Sequence, residues 1–309
     1  MSLGQTTKLL VIVGPTGAGK SALAMHLARK IGGEILSADS QQVYRGMDIG
    51  TAKASEAERS EIPHHLLDVV DPDQEMCAAS FVELADAAIA DILHRDRVPI
   101  VVGGTMLYIR ALLEGLFEGP AADMELRATL EAQSKSEGPG TLWKLLQAVD
   151  EESAERIHAT DIRRLIRAIE VHTLSGIALS EHHRRHRAQP PRYLAQRIGI
   201  TAEREQLYKR IDARVLSMMD AGLLDEVRAL QDKGYGVSLR SQQAIGYVEL
   251  HRHLQGEMSL EEAVTLIQRN SRRYARRQMS WYRGDSSVTW LTQVAEVDGL
   301  TIDGLRLMA

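Results

Sequence analysis

The chain has 309 residues, 44% hydrophobic and 26% charged, with a formal net charge of −5. That length can bury the core of a main domain plus a smaller one, and the acidic balance excludes a protein drawn to nucleic acid by its overall charge. A lone cysteine, Cys77, rules out an internal disulfide and suits a reducing compartment.

No apolar run approaches the roughly 20 residues of a membrane span. The first residues carry no secretory pattern. A cytoplasmic protein without membrane attachment is therefore expected.

Residues 9–13 form a short, continuous apolar run, the pattern of a buried parallel strand. Gly14, Pro15, Thr16, Gly17, Ala18, Gly19, Lys20 and Ser21 follow in the G-x-x-x-x-G-K-S order of a phosphate-cradling loop. The glycines let backbone N–H groups converge on an anion. Lys20 can reach a terminal phosphate, and the Ser21 hydroxyl can meet a magnesium ion. The helix expected from Ser21 onward turns its positive end to the same anion. The loop therefore indicates a diphosphate or triphosphate without saying which.

A second strand is expected at 34–37. It delivers Asp39, Ser40, Gln41 and Gln42 to the carboxyl end of the sheet, where ligands of open α/β sheets bind. The polar stretch 46–59 reads as a loop with Lys53 a possible second cation, and 63–72 can carry a short strand. Residues 80–95 keep a helical period, with Ser80 as N-cap and Glu83 three residues on. A strand at 99–102 ends in Gly103, Gly104 and Thr105, and a helix follows at 106–113.

From 118 to 196 the pattern is nearly all helical, so an all-helical insertion is expected there. Strand character returns at 197–201, followed by helices at 204–233, broken near Gly222, and at 260–281. The expected fold is α/β: a P-loop NTPase-like three-layer fold with a parallel central sheet, residues 1–117 and 197–309, plus the helical insertion.

Arginines cluster in three places: Arg163, Arg164 and Arg167; a run at 182–192; and Arg269, Arg272, Arg273, Arg276, Arg277 and Arg283, where the first four share a helix face. Beside Trp281 and Tyr282 these suggest a local polyanion surface. A single such cluster is ordinarily a solvated helix face. His182 and His186, spaced i, i+4, fit a zinc ion only with a third ligand.

Several segments together resemble the tRNA dimethylallyltransferases, or tRNA isopentenyltransferases, of bacterial type. They are the loop at 14–21, the stretch from Asp39 to Lys53, Gly103-Gly104-Thr105 with Tyr108, Arg163-Arg164-Leu165-Ile166-Arg167, Gln243-Ala244-Ile245-Gly246-Tyr247, and Arg276-Arg277-Gln278 with Trp281 and Arg283. They run in family order. Two departures are mild: the loop ends in Ser21 where many members have threonine, and Gly17-Ala18 stands where Ala-Ser is common.

The resemblance implies transfer of a dimethylallyl group from dimethylallyl diphosphate to N6 of adenosine 37, beside the anticodon of tRNAs reading codons that start with U. The loop then holds the prenyl diphosphate with magnesium, and Asp39 is the base. Thr105 lies at the reacting centre, and Arg214 grips the diphosphate from the other side. Ser40, Gln41, Gln42 and residues 243–247 read the base and its neighbours. Arg127 and residues 163–167, with Arg276, Arg277, Gln278, Trp281 and Arg283, contact the tRNA, and the insertion clamps the anticodon arm. A monomer is expected. From the residues alone, Asp39 equally suits an Asx-turn, and Arg214 a surface ion pair with Asp212 or Asp220. Two rivals remain at this stage: a small-molecule kinase with ATP in the loop and a magnesium aspartate at Asp68, and a non-enzymatic RNA-binding protein.

Overall fold

The structure, a computed structural model, describes residues 8–299; the amino-terminal residues read above for a secretory pattern lie outside them. In chain order the elements are β1 (Lys8–Val13), α1 (Lys20–Ile31), β2 (Gly33–Ser37), α2 (Glu56–Glu61), β3 (His64–His65), α3 (Ala78–His94), β4 (Val98–Val102) and α4 (Met106–Glu114). Next come α5 (Met124–Glu137), α6 (Thr141–Val149), α7 (Glu151–Arg156), α8 (Ile162–Ser175) and α9 (Leu179–Arg187). The chain closes with β5 (Leu194–Ile200), α10 (Arg204–Asp220), α11 (Leu223–Asp232), α12 (Tyr247–Leu254), α13 (Leu260–Tyr282) and β6 (Val288–Leu291). The described chain divides into two compact units, residues 8–114 with 192–299, and residues 115–191.

The first unit is a six-stranded sheet in the order β3-β2-β4-β1-β5-β6, parallel at every pairing. Strand alternation divides its side chains between two cores. Leu9, Val11, Val13, Leu36 and Val101 face one core, with Phe81 and Ile89 of α3 and Leu112 of α4. Leu10, Ile12, Ile35, Ile100 and Ile198 face the other, with Leu23 and Leu27 of α1 and Leu207 and Ile211 of α10. Helices cover both faces, as an all-parallel sheet requires. The carboxyl ends of β1, β2 and β4 therefore lie side by side. That edge carries the phosphate loop, Asp39 and Gly103.

Several expectations change. The loop expected at 46–59 contains α2, started by a reciprocal capping box between Ser55 and Glu58. Lys53 is not a spare cation: its side chain is only 1% exposed and its Nζ donates to Asp48 at 2.5 Å, Asp68 at 2.6 Å and the Tyr44 carbonyl at 2.8 Å. Helix α3 starts two residues before Ser80, after Cys77, with no side-chain cap. Residues 192–196 belong with the sheet rather than the insertion, because Arg192 and the Tyr193 hydroxyl are tied to Asp86 and β5 starts at Leu194. Helix α12 and the four-residue edge strand β6 went unread.

The second unit is all helical. Its core is Leu130, Leu142, Leu146, Ala154, Leu165, Ile166, Ala168, Ile169, Val171 and Leu179. A fully buried carboxylate, Glu170 of α8, sits in it. It accepts from the Asp123 N–H at 2.8 Å, from Arg127 at 2.8 Å and from Arg167 at 2.5 Å. Burial alone would raise its pKa, but the two guanidinium groups and the N–H outweigh that and bring it down to about 2.

Candidate active site

Gly14 leaves β1 with φ +143, and a Cβ there would lie 2.2 Å from the Ile200 carbonyl oxygen. Only glycine allows the loop to pass that close to β5. At the far end Gly19 caps α1 in the left-handed region without a side-chain hydrogen bond. The first N–H groups of a twelve-residue helix thus remain for an anion. Lys20 curls over the loop, its Nζ donating to the Pro15 carbonyl at 3.0 Å. Burial lowers its pKa to about 8; Asp39 opposes that shift and Arg214 adds to it. The Ser21 hydroxyl stands in an exposed residue on the first turn.

Asp39 lies just beyond β2. Its Oδ1 accepts the N–H of Gln41 at 2.8 Å and of Gln42 at 3.4 Å. The Asx-turn therefore exists and fixes the carboxylate, while Oδ2 keeps no partner among the described residues. The Thr105 Oγ1 accepts the Ser40 N–H at 2.9 Å, tying the ends of β2 and β4.

Arg214 comes from α10. Asp212, its alternative partner, instead pairs with Arg272 of α13. Surrounding protein partly desolvates Arg214 and lowers its pKa, against the pull of Asp39, although much of its surface stays open.

Lys20, Asp39 and Arg214 line one cavity of about 470 Å³, together with Thr16, Gly17, Gly19, Ser21, Ser40, Gln41, Gln42 and residues 243–247. One part of its wall is apolar, Ile211, Val215, Met218, Leu223 and Ile267, and another is polar, Ser271, Tyr274, Arg277 and Gln278 of α13. The donor set suits magnesium carried by phosphate oxygens. Ser21 offers one hydroxyl, and among the described residues no three His, Cys, Asp or Glu side chains cluster to hold a metal alone. For the same reason the i, i+4 pair His182 and His186 has no third ligand; His182 Nε2 instead meets the Ser175 Oγ at 3.2 Å.

Other sequence candidates divide sharply. The Gln42 amide is fully committed: Oε1 accepts from the Ser37 hydroxyl, and Nε2 donates to the carbonyls of Thr51 and Ala52. It shapes the wall and has no free group with which to read a base. Gln41 differs, since its buried Oε1 has no partner. Tyr247 is fully buried and its hydroxyl donates to Glu226 at 2.6 Å. The same carboxylate accepts from the N–H groups of Asp48, Ile49 and Gly50. Tyr247 thus braces the 48–50 segment rather than reading RNA. Ala244 and Ile245 are half-buried in the wall, Gly246 is buried, and the exposed Gln243 donates to the Val237 carbonyl.

Gln278, expected on tRNA, is 1% exposed. Its Oε1 accepts the Thr16 N–H at 2.8 Å and its Nε2 donates to the Gly104 carbonyl at 3.0 Å. It clamps the phosphate loop to the end of β4. Arg276, Arg277, Trp281 and Arg283 are exposed, with Arg277 on the cavity wall. In the second unit Leu165 is 0% and Ile166 4% exposed, so neither can touch tRNA. Arg127 and Arg167 are bound to Glu170, while Arg163 and Arg164 are exposed.

Tyr274 was missed. It lines the cavity, and its hydroxyl donates to the Gly104 carbonyl at 3.2 Å. Burial, followed by the charge of Asp39, raises its pKa to about 12. The signal was present as the i, i+3, i+4 spacing of Ser271, Tyr274, Arg277 and Gln278 on one face of α13.

Two family models together span most of the chain. The IPP transferase model matches residues 42–285 and the isopentenyl transferase model residues 7–70. A tRNA dimethylallyltransferase of Geobacter metallireducens is 49% identical over 296 residues, 96% of each chain. That of Geobacter sulfurreducens is 45% identical, covering 98% of this chain and 97% of its own. The crystal structure of the full-length tRNA isopentenylpyrophosphate transferase of Bacillus halodurans superposes with a TM-score of 0.68 at 41% identity, over 98% of this chain and 94% of that one. A eukaryotic dimethylallyltransferase acting on tRNA gives a TM-score of 0.80 at 29% identity, over 95% and 76%. With its phosphate loop, Asp39 and Arg214 on one cavity, this chain belongs to the tRNA dimethylallyltransferase family.

Proposed function

We propose that the chain transfers a dimethylallyl group from dimethylallyl diphosphate to N6 of adenosine 37 in the anticodon loop of tRNAs that read codons starting with U, giving N6-isopentenyladenosine and diphosphate. One observation carries this reading. A carboxylate, Asp39, faces two cations, Lys20 and Arg214, in a cavity that also carries an apolar patch formed by Ile211, Val215, Met218, Leu223 and Ile267. The cations suit a diphosphate and the apolar wall suits a prenyl group. A carboxylate would repel phosphate, so it needs another task.

That task is proton removal. The N6 lone pair is delocalised into the adenine ring, which makes the amine a weak nucleophile. As N6 attacks C1 of the allylic group, the C1–O bond breaks and its electron pair leaves with the diphosphate. The N6 proton passes to the free Oδ2 of Asp39, whose Oδ1 is fixed by the turn. Lys20, the α1 N–H groups and Arg214 stabilise the charge growing on the leaving oxygen. The Ser21 hydroxyl would hold magnesium, which would supply further stabilisation of the leaving diphosphate. Adenosine 37 must leave its stack to reach Asp39. Gln41 lines the cavity next to Asp39. Thr105 ties Ser40 in place beside it. Exposed Arg163 and Arg164 are suited to phosphates of the anticodon arm. The reading includes action as a monomer, and tRNA as substrate supports a cytoplasmic setting.

The kinase reading loses its magnesium aspartate. Asp68 is held by Lys53 at 2.6 Å and Arg59 at 2.8 Å. It follows β3, an edge strand separated from β1 by β2 and β4. The test is direct: incubate the protein with tRNA and either γ-labelled ATP or labelled dimethylallyl diphosphate. Label moving from the prenyl substrate to tRNA is expected; phosphate transfer from ATP, or no transfer, would overturn the proposal.

A further inference from the structure

The reaction cavity has a neighbour. An open groove of about 730 Å³ runs between the 48–59 segment and the end of α10. The two hollows share three residues: Ala52, Arg214 and Met218. Beyond them the groove is lined by Ile49, Ala54, Ser217 and Ala221 among others.

Its charges point to an apolar occupant. Lys53 is taken by Asp48 and Asp68, and Arg59 by Asp68 and the Ala54 carbonyl. The groove's cations other than Arg214 are thus already neutralised, and a second phosphate would find no open partner past Arg214. Ile49, Ala52, Ala54, Met218 and Ala221 remain as hydrocarbon surface.

Helix α10 supplies a ruler. Ile211 meets the phosphate loop, where a Cβ on Gly17 would lie 2.9 Å from its Cγ1. Val215 and Met218 continue the same face. Seven residues from Ile211 to Met218 span about 10 Å. That is the reach of a diphosphate followed by one five-carbon unit. Met218 thus stands where a dimethylallyl group ends, with the groove directly behind it.

We propose that Met218, which with Ala52 and Arg214 borders both hollows, is the gate that limits the prenyl donor to one five-carbon unit, and that the outer groove can take the second unit of an allylic diphosphate such as geranyl diphosphate. This rests on the prenyl-transfer reading above. The chemical step is unchanged: N6 bonds to C1, the C1–O pair leaves with diphosphate, and Asp39 takes the proton. The discrimination arises because the thioether side chain closes the wall. A hydrophobic pocket separates substrates differing by one methylene by roughly 10- to 200-fold, so a whole isoprene unit against a closed wall should be rejected at least that strongly.

The experiment compares dimethylallyl and geranyl diphosphate as donors to tRNA in wild type, Met218→Ala, and Met218→Ala combined with Ala221→Phe. Met218 also packs on the core, so each protein's thermal unfolding is recorded alongside. Wild type should use the five-carbon donor and discriminate strongly against the ten-carbon one. Met218→Ala should raise the geranyl-to-dimethylallyl ratio of kcat/KM by at least about 10-fold. Ala221→Phe, which refills the groove from its far end, should lower that ratio again. If folded Met218→Ala transfers the dimethylallyl group with an unchanged ratio, or if the added phenylalanine leaves a raised ratio untouched, the gate is refuted. Failure of wild type to use dimethylallyl diphosphate at all would instead refute the prenyl-transfer reading.

Discussion

The loop at 14–21 and helix α8 treat neighbouring residues in opposite ways. In the loop, glycines at positive φ turn successive backbone groups toward one centre, so adjacent positions act on the same anion. In α8 each residue is turned about 100° from the last. Arg163 and Arg164 therefore emerge into solvent, Leu165 and Ile166 enter the core, and Arg167 bends to Glu170. A contiguous motif marks a contiguous site only where the backbone is a loop. On a helix it marks one face and the packing behind it.

Changes in the two regions should differ in kind. The largest loss outside Asp39 itself is expected for Lys20→Ala: a fall in turnover of about 10²- to 10³-fold, the cost of one lost donor to a developing oxyanion, with tRNA binding largely intact. Filter binding and steady-state rates together check this. Full activity would remove Lys20 from the chemistry.

In the helical unit the expected loss is of stability. Glu170→Gln leaves two guanidinium groups without their carboxylate and should destabilise that unit by about 3–5 kcal/mol, read by thermal or urea unfolding. Because the native pKa of Glu170 is lowered to about 2 from its ordinary value of 4.5, its stabilisation is complete above pH 4.5 and fades as pH falls toward 2. A variant as stable as wild type at pH 7 would contradict the network.

A pH profile sharpens the loop side. Lys20 is charged below its pKa of about 8 in the unliganded protein. As pH rises through 8 the charge is lost, and kcat/KM for the diphosphate should fall up to about 10-fold per pH unit, since this parameter reports the free enzyme. The kcat should fall less, because bound diphosphate holds the proton on Lys20. A flat kcat/KM to pH 9.5 would contradict the assignment.

The smallest effects belong to the surface of α13. Arg273 and Arg276 are exposed, whereas Arg272 is paired with Asp212. Replacing the first two with alanine should flatten the salt dependence of tRNA binding by up to about one log unit per lost phosphate contact. Arg272→Ala should leave that slope unchanged and cost about 1 kcal/mol of stability or less. Equal slopes for both variants would show that the exposed arginines carry no phosphate contact.

How much was legible follows from the same contrast. The strands β1, β2 and β4 and the cluster at their ends were readable because apolar runs ending in Gly14, Asp39 and Gly103 mark buried strands and the ligand side of a parallel sheet. The roles of Gln42, Tyr247 and Gln278 were not. Each belongs to a stretch read as RNA-binding, yet each is committed to partners distant in sequence, such as Glu226 for Tyr247 and Thr16 for Gln278. Linear spacing does not encode those partners. Helix α2 was legible in principle, since Ser55 and Glu58 spell a capping box; the surrounding polar residues masked it. The apolar wall of Val215, Met218 and Ile267 could not be assembled before the packing of α10 against α13 was known.

The central claim is that Asp39 accepts the N6 proton, and its most direct test is the single-turnover rate of Asp39→Asn across a magnesium titration. The amide keeps the turn's acceptor oxygen but cannot take a proton. The account predicts a rate about 10²- to 10⁴-fold below wild type at every magnesium concentration, with tRNA and diphosphate affinities changed far less. Recovery of the rate at high magnesium would mean that Asp39 supports the metal instead, and would contradict the account.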